Sequence, residues 1–465
     1  MAGHKKIMRR IGLASFLLSV PYLFSFPAEG LSAAEPLTLQ QAVSRALEDN
    51  HGLAAFRNSL AAQKEDIGIA RSHYRPKISL EERFLRTNNP TFVFMAKLNQ
   101  ARFTAEDFAI DSLNDPAAEN DFQTSLSLFQ PILALQASVG IDMSETAYAA
   151  KKEEYYRRQE SVALQVAQNY LMAQMAAEFV GVAQKGVEDA AEHLRIARVS
   201  YENGLGLYAD TLRAATALTE AEQRLVSAEK NLRVARRSLG MLLGVEHPVQ
   251  TGTDKLDLPL YDHAYYRNKV EERRDIQSMQ FHFANAENSL RLSRAASAPT
   301  LGVGSSFQLN DSDVPFGNES DSWQVFAQLR WELFDGAKSK HEKQKASYRI
   351  AETRENLARL VNGAAFQVYE SYLGVEEAQK NAELAHSALA TAEEGQRLVR
   401  LRFENSLSPL VDLLDAQVSL DQARTNVLAR QKEQQLATLR LCFESGVILE
   451  ELGVEAQPAE DITDK

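Results

Sequence analysis

The sequence predicts a mainly α-helical protein with a smaller β portion, built twice over on one plan of helix, two strands and long helices. Three observations carry this reading. Apolar residues recur at three- and four-residue spacing over stretches far longer than the roughly 11-residue helix of ordinary globular proteins. Four segments of about ten residues instead alternate apolar and polar, the period of a strand. The second half of the chain also aligns with the first without gaps across its long helical region.

Taken in order, the chain opens with Lys5, Lys6, Arg9 and Arg10, an apolar run from Ile11 to Phe26, and the small residues Ser32-Ala33-Ala34 before Glu35. This is the pattern of a secretory signal peptide over residues 1–34. The run contains Pro21 and falls short of the roughly 20 residues of a spanning helix, and no Cys follows it to take a lipid. From Leu37 to Ser72 one helix is expected, opened by the capping-box pattern Thr38-Leu39-Gln40-Gln41. The period then switches: Ile78, Leu80, Glu82 and Phe84 share one side of a first strand, and Phe122, Thr124, Leu126 and Leu128 one side of a second. The polar stretch from Arg86 to Asp121 between them is expected to be a surface loop.

Helix returns from about Gln136 to Tyr201, about 100 Å if unbroken. After the turn Asn203-Gly204-Leu205-Gly206-Leu207 another helix runs to Leu243. Its seam (Ala214, Leu218, Ala221, Leu225, Ala228, Leu232, Ala235, Leu239) alternates Ala and Leu at heptad positions, the mark of a closely packed coiled coil. The second half repeats this order: helix from about His263 to Ala296, strands Leu301 to Leu309 and Ser322 to Leu333, helix from about Ala337 to Phe403, the turn Asn405-Ser406-Leu407-Ser408-Pro409, and a last helix to about Phe443. One constant shift places Glu202-Asn203 on Glu404-Asn405, Leu205 on Leu407, Asp210 on Asp412 and Gly244-Val245 on Gly446-Val447. The units are therefore 1–34, a first repeat 35–250, a second repeat 251–450, and an acidic tail 451–465 expected to be flexible.

Composition narrows the function. The net charge of −12, from 63 acidic against 51 basic residues, argues against nucleic acid as a partner; loss of residues 1–34, with four positive charges and one negative, would deepen it to −15. A single Cys, Cys442, allows no intrachain disulfide, and its apolar helical surroundings suit a core residue. The nine His include no HExxH pair, no Walker loop or G-x-S-x-G elbow occurs, and Gly302-x-Gly304 lacks the third Gly of a dinucleotide fingerprint. No cofactor, metal site or catalytic residue is expected, and the protein is not read as an enzyme.

The four alternating segments have the length of membrane-spanning strands, and Phe84, Phe122, Phe129, Trp323, Phe326, Trp331 and Phe334 are placed along them as interface girdles would be. A soluble sheet capping a helical bundle, in a periplasmic coiled-coil adaptor or scaffold, is the competing reading. If the strands enter a bilayer, four are too few to close a barrel, so several chains must each contribute four.

These elements together resemble the TolC-like outer-membrane efflux proteins. The resemblance rests on the opening LTLQQAVSRALEDN, the strand endings SLSLFQPIL and LRWELFDGAKS, the tips YENGLGLYADTLRA and FENSLSPLVDLLDA, and the duplicated plan. It implies a homotrimer with a 12-stranded barrel in the outer membrane, a long periplasmic helical tunnel, and engagement by a periplasmic membrane-fusion adaptor and an inner-membrane pump of RND or ABC type. The function implied is a passive exit duct of a tripartite efflux or type I secretion system.

Candidate site residues cluster at the two tips. Asp412 and Asp415, three apart after Ser408-Pro409, share one face of a helix start. Their spacing alone suits dipole capping as well as function; the resemblance of VDLLDA to the family's tip motif implies acidic rings that narrow the entrance and favour cations. Asp210 is the matching acid of the first repeat, where the family uses it to hold the entrance closed. The Tyr and Arg that engage it in relatives are Phe403 and Ser408 here, so that lock is not carried over. Gly204, Leu205, Gly206, Ser406 and Leu407 form the tips. Turn chemistry accounts for the glycines, but a Leu recurring at a solvated turn fits the family's use of this position for adaptor docking.

Overall fold

A computed structural model describes residues 36–253, 256–405 and 407–459. The expected signal segment 1–34, Ser406 and the tail end 460–465 lie outside the described residues. Helices α1 (Leu39–Asp49) and α2 (His51–Ser72) lead to strand β1 (Lys77–Thr87). Helix α3 (Pro90–Asn99), a 3-10 turn at Ala105–Phe108 and α4 (Ile110–Asn114) precede β2 (Glu119–Leu133), and α5 (Leu135–Glu202) and α6 (Tyr208–Leu242) end the first repeat. The second comprises α7 (His263–Lys269), a 3-10 turn at Val270–Glu272, α8 (Arg274–Ala295), β3 (Thr300–Asp311), β4 (Ser320–Arg330), α9 (Lys338–Glu404), α10 (Leu410–Ser445) and α11 (Ile448–Glu451).

The 68-residue α5 and 67-residue α9 run about 100 Å each and set the length of the molecule. Their sheet-proximal portions pack against α2 and α8, their distal portions against α6 and α10. The predicted heptads face inward: Ala214, Ala221 and Leu239 of α6 and Ala378, Ala382 and Ala385 of α9 are buried. Ala at these positions lets the backbones approach closely. The main core lies midway along the bundle, around Tyr155, Tyr170, Tyr266 and Leu239. Its buried phenols are satisfied: the Tyr170 hydroxyl donates to the Leu37 carbonyl (2.9 Å) and that of Tyr266 to the Pro259 carbonyl (3.3 Å). Cys442 is fully buried there, and burial pushes its thiol up to about 12, the state of an inert core side chain.

Several boundaries differ from expectation. The first helix is two, because Asn50 leaves the helix to cap its successor. Its side-chain oxygen accepts from the Gly52 and Leu53 amides (2.9 and 3.2 Å), while its amide donates to the Leu242 carbonyl (3.0 Å). The helix expected from His263 to Ala296 breaks at Arg273, which is buried and reaches Asp275 (2.7 Å) and the Glu444 carbonyl (2.8 Å). The fourth strand stops at Arg330 rather than Leu333, since the Trp331 indole turns to donate to the Ser297 carbonyl (3.2 Å). The stretch 86–121 contains helices, α3 beginning at Pro90 with Asn89 as its cap. The start of the expected flexible tail is packed: Gln159 exchanges two hydrogen bonds with the Gln457 backbone (2.7 and 2.9 Å), and Ala459 is buried.

The strands form one antiparallel sheet in the order β1-β2-β3-β4. Its register separates two faces. Ile78 lies opposite Leu128, Leu80 opposite Leu126, Phe84 opposite Phe122, and Phe307 between Leu126 and Trp323, so one face is apolar. It is also open: Ile78, Leu80, Trp323, Val325 and Leu329 are each more than 60% exposed. The other face carries Ser79, Glu81 and Arg83 beside Ser127, Ser125 and Gln123, then Ser306 and Gln308 beside Gln324 and Ser322. Phe129 and Phe326, both expected among the interface aromatics, lie on this polar face. Their rings cover Gly302 and Gly304, where a Cβ would collide with them. Alternation decides the matter: Phe129 is one residue out of step with Leu126 and Leu128.

The duplication is repeated in the hydrogen bonds. Leu205 donates to Ser200 as Leu407 does to Arg402 (2.8 Å each), and Val245 to Gly240 as Val447 does to Cys442 (2.9 Å each). Gly244 and Gly446 terminate equivalent helices at φ +71° and +81°. Their surroundings differ: a Cβ at Gly244 would stand 2.7 Å from the Asp49 carbonyl oxygen, one at Gly446 3.1 Å from the Arg273 side-chain Cγ. Gly446→Ala is therefore expected to cost about the 1–2 kcal/mol of left-handed strain, and Gly244→Ala clearly more. Denaturant midpoints of the two purified variants give the comparison; equal losses would contradict it.

Candidate functional site

The bundle end farthest from the sheet brings the two tips together. α5 ends with Asn203 as its cap, its amide donating to the Val199 carbonyl (2.8 Å), and Gly204 takes the left-handed conformation (φ +73°). Asn405 repeats this on Leu401 (2.7 Å). At Gly206 the returning chain crosses the helix end so closely that a Cβ would lie 3.1 Å from Ser200 Cβ. Turn geometry thus accounts for both glycines. It does not account for Leu205 and Leu407, each at the position whose amide closes the turn. An apolar residue there normally folds back on its helix, yet these two are 75% and 68% exposed.

Asp412 and Asp415 stand on the first turns of α10, both exposed, and neither has an ion-pair partner among the described residues. Asp210 is half-buried at the start of α6; Arg213, one turn on, is 3.9 Å away, a weak and largely exposed pair. Asp210, Phe403, Ser408, Leu205 and Leu407 line one cavity of about 590 Å³ between the tips. Phe403 packs on an apolar cluster of Leu194, Ala197, Ala214, Leu410 and Leu413 that joins the two hairpins. The tip residues named from the sequence are therefore assembled at one end, apart from Ser406, which is outside the described residues.

A polar seam lies behind this cluster. Gln417, buried on α10, donates to Asp189 (3.1 Å) and Asp421 (3.0 Å), and its oxygen accepts from Gln396 (3.1 Å) and faces His193 Nε2 (3.3 Å). Arg424 neutralises both acids (3.2 and 3.5 Å). This bonding assigns the Nε2–H tautomer to His193. Burial holds its pKa below the ordinary imidazole range and raises that of Asp421 above the ordinary carboxylate range. Its only signal in the sequence is Gln396, the one polar residue in an Ala-rich heptad run.

Of the predicted girdle aromatics, Phe84, Phe122 and Trp323 are on the apolar face near its outer edge, where the Phe84 and Phe122 rings stand 4.6 Å apart. Trp331 and Phe334 are exposed just past β4, on the helix side. Trp323 and Trp331 are separated by about 26 Å along the strand, or about 20 Å along the normal at a tilt of about 40°.

A family model for outer membrane efflux proteins matches residues 42–245 and 266–446, one match for each repeat. The chain belongs to this family, whose members are outer-membrane channels, and the two matches support the internal duplication. Among solved structures it is similar to a membrane protein from Pseudomonas aeruginosa (18% identity, TM-score 0.74, covering 88% of this chain and 90% of that one). It is also similar to CusC, a protein in which conformational changes accompany folding and transmembrane channel formation (16%, 0.73, 90% and 92%). A third is the CmeC outer membrane channel of Campylobacter jejuni (16%, 0.72, 90% and 87%). No curated protein sequence matches the chain.

The seam predicts how the joined hairpins respond to acid. Because the folded imidazole takes up a proton less readily than an unfolded one, its contribution is intact above about pH 6.5 and declines as pH falls below it. Asp189 and Glu192 on α5 favour the protonated ring, Arg400 on α9 opposes it, and burial outweighs both acids. Asp421 acts with the opposite sign, but nearer the carboxylate range. Amides of residues 189–200 and 410–420 should exchange faster at about pH 5.5 than at about pH 7.5 after correction for intrinsic rates, and His193→Gln should abolish the difference. An unchanged difference in that variant would remove His193 from the response.

Proposed function

We propose that the chain is the exit duct of a tripartite efflux or type I secretion assembly. It conducts substrates passively from a periplasmic adaptor and an inner-membrane pump to the exterior. The observation that carries this is a sheet with one open apolar face, one polar face and two unpaired edges, mounted on helices about 100 Å long. Four strands cannot close, so three copies are required for a 12-stranded barrel, with the apolar faces on lipid and the polar faces on water. The same symmetry gathers six tips around the inner entrance. The channels named among similar structures support this reading. The competing soluble scaffold would leave the apolar face in water, where a patch of this size is unstable without a partner.

In this duct Asp412 and Asp415 form acidic rings that attract cations, and Leu205 and Leu407 are the adaptor's contacts. Purified protein should behave as a trimer and form cation-preferring pores in planar bilayers; recovery of a monomer from the soluble periplasm would refute the duct. Asp412→Asn with Asp415→Asn should weaken block by multivalent cations, and unchanged block would remove these residues from the entrance. Leu205→Asp with Leu407→Asp should abolish export while leaving the trimer intact. Export at the wild-type level would rule out docking at these positions.

A further inference from the structure

The duct reading leaves the insertion between β1 and β2 without a role. Its helix α3 crosses the end of the sheet remote from the long helices, packing on β2 and β4. It does so on the polar face. Gln100, directly after α3 and 1% exposed, donates to the Asp121 carboxylate (3.0 Å) and the Asn120 carbonyl (2.8 Å), and Asp121 also accepts from Asn310 (2.9 Å). Asp121 and Asn310 are both in register with the polar side chains of their strands. Lys97 ties the insertion to Glu119 (3.4 Å) and Asp107 (2.9 Å), and Arg102 also approaches Glu119 (3.8 Å). Phe94, Phe103 and Phe108 stack edge to face, at 4.8 and 5.0 Å between centroids. These contacts make the insertion a folded unit whose basic side chains, Lys97 and Arg102, are paired with its own Asp107 and with Glu119 of β2.

What remains is the opposite side of α3. Val93 and Ala96 face the sheet and are buried, whereas Phe92, Met95 and Leu98 are 57%, 48% and 45% exposed. On the polar face of a barrel wall, outward from the sheet means toward the barrel axis. Twelve strands spaced about 4.8 Å apart and tilted about 40° enclose a backbone radius of about 12 Å. A helix about 10 Å across lying on that wall reaches close to the axis. Three such helices at one level therefore meet, and they meet through apolar side chains that no residue of their own chain covers.

We propose that the apolar face of α3 is an interface between copies of this chain that closes the outer mouth of the duct. The occupant of each face is the same face of the other two copies. It is continuous with the barrel seam, because α3 follows directly from edge strand β1 and packs on the opposite edge strand, β4. Closure by Phe92, Met95 and Leu98 makes an apolar constriction, which blocks ions by excluding water rather than by charge and opens when the helices part. The duct then has a barrier at each end, acidic at the inner tips and apolar at the outer mouth.

This inference rests on the duct reading, and crosslinking separates the two. Cys442 is fully buried, so a cysteine placed at Met95 is the only accessible thiol among the described residues. In the full-length protein in detergent, Met95→Cys should give disulfide-linked dimers on mild oxidation, linked dimers with a short bismaleimide, and linked trimers with a short three-armed maleimide. Trp323→Cys, on the apolar face of the wall, should give none of these. The triple variant Phe92→Ser, Met95→Ser, Leu98→Ser should keep its trimeric mass and show a several-fold higher resting conductance in planar bilayers. A trimer in which Met95→Cys forms no links, or in which the triple variant conducts like wild type, overturns the outer barrier and leaves the duct standing. A monomer overturns both.

Discussion

The structure depends on one constraint: every backbone amide and carbonyl placed in hydrocarbon must have a partner within the protein. A four-stranded antiparallel sheet satisfies this along β2 and β3 and fails along the outer edges of β1 and β4. Each edge strand is 11 residues long, so the unmet groups number several per edge, each costing several kcal/mol in lipid. No rearrangement inside one chain repairs this. The closure with further copies proposed above would, and the requirement would then extend to the rest of the molecule, since any symmetry imposed on the sheet is imposed on the helices beneath it.

The duplication follows the same logic. In the proposed assembly of three copies, a tunnel wall of twelve helices would be more evenly built from two similar hairpins per chain than from one hairpin and an unrelated filler. Leu205 and Leu407 close their turns with the same hydrogen bond at the same length. Arg195 and Arg397 each grip the Glu one turn earlier with two bonds, at 2.8 and 2.7 Å. The repeats diverge where they touch different neighbours. α10 carries Gln417, Asp421 and Arg424 toward α5, whereas the matching positions of α6 are Ala215, Thr219 and Glu222, of which Ala215 packs on the apolar tip cluster. The first hairpin adds to its apolar packing a hydrogen bond from Ser238 to Asn169 (2.9 Å), whereas the second is tied to α5 through a charged, directional seam.

Period was the legible part of the fold. The heptads of α6 and α9, the alternation in all four strands and the repeat were visible because each is a regular pattern extending over many residues. Departures came at single residues whose behaviour is set by distant partners. Asn50 breaks a helix because the Leu242 carbonyl waits for its amide, and Arg273 does so because Glu444 and Asp275 surround it. Nothing local distinguishes either from the polar residues around it. Phe129 illustrates a different failure: aromatic character suggested lipid, while its place in the alternation assigns it to the polar face, and register outranks composition. At the tips, the exposure of Leu205 and Leu407 agrees with the expectation of solvated apolar residues, whereas the seam around Gln417 was hidden, because its members are scattered over three helices.

The polar seam and the apolar tip cluster stand in a definite relation to opening. Helices joined only by Ala and Leu can slide with little loss, since one apolar contact replaces another. Helices joined through Gln417 cannot, because its amide and carbonyl satisfy four partners at once, and moving α10 relative to α5 takes the Gln417 and Arg424 donors from half-buried Asp189 and the Gln417 oxygen from buried His193. Motion of the second hairpin away from the first is therefore resisted in a few discrete bonds set back from the tip. Beyond the seam, the tip is held by the softer cluster around Leu413 and Phe403. A force applied at Leu205 and Leu407 would part the soft cluster first and meet the seam second. That order makes the tip the softer end of the helical bundle and the His193–Gln417 layer the point where the second hairpin is fixed to α5.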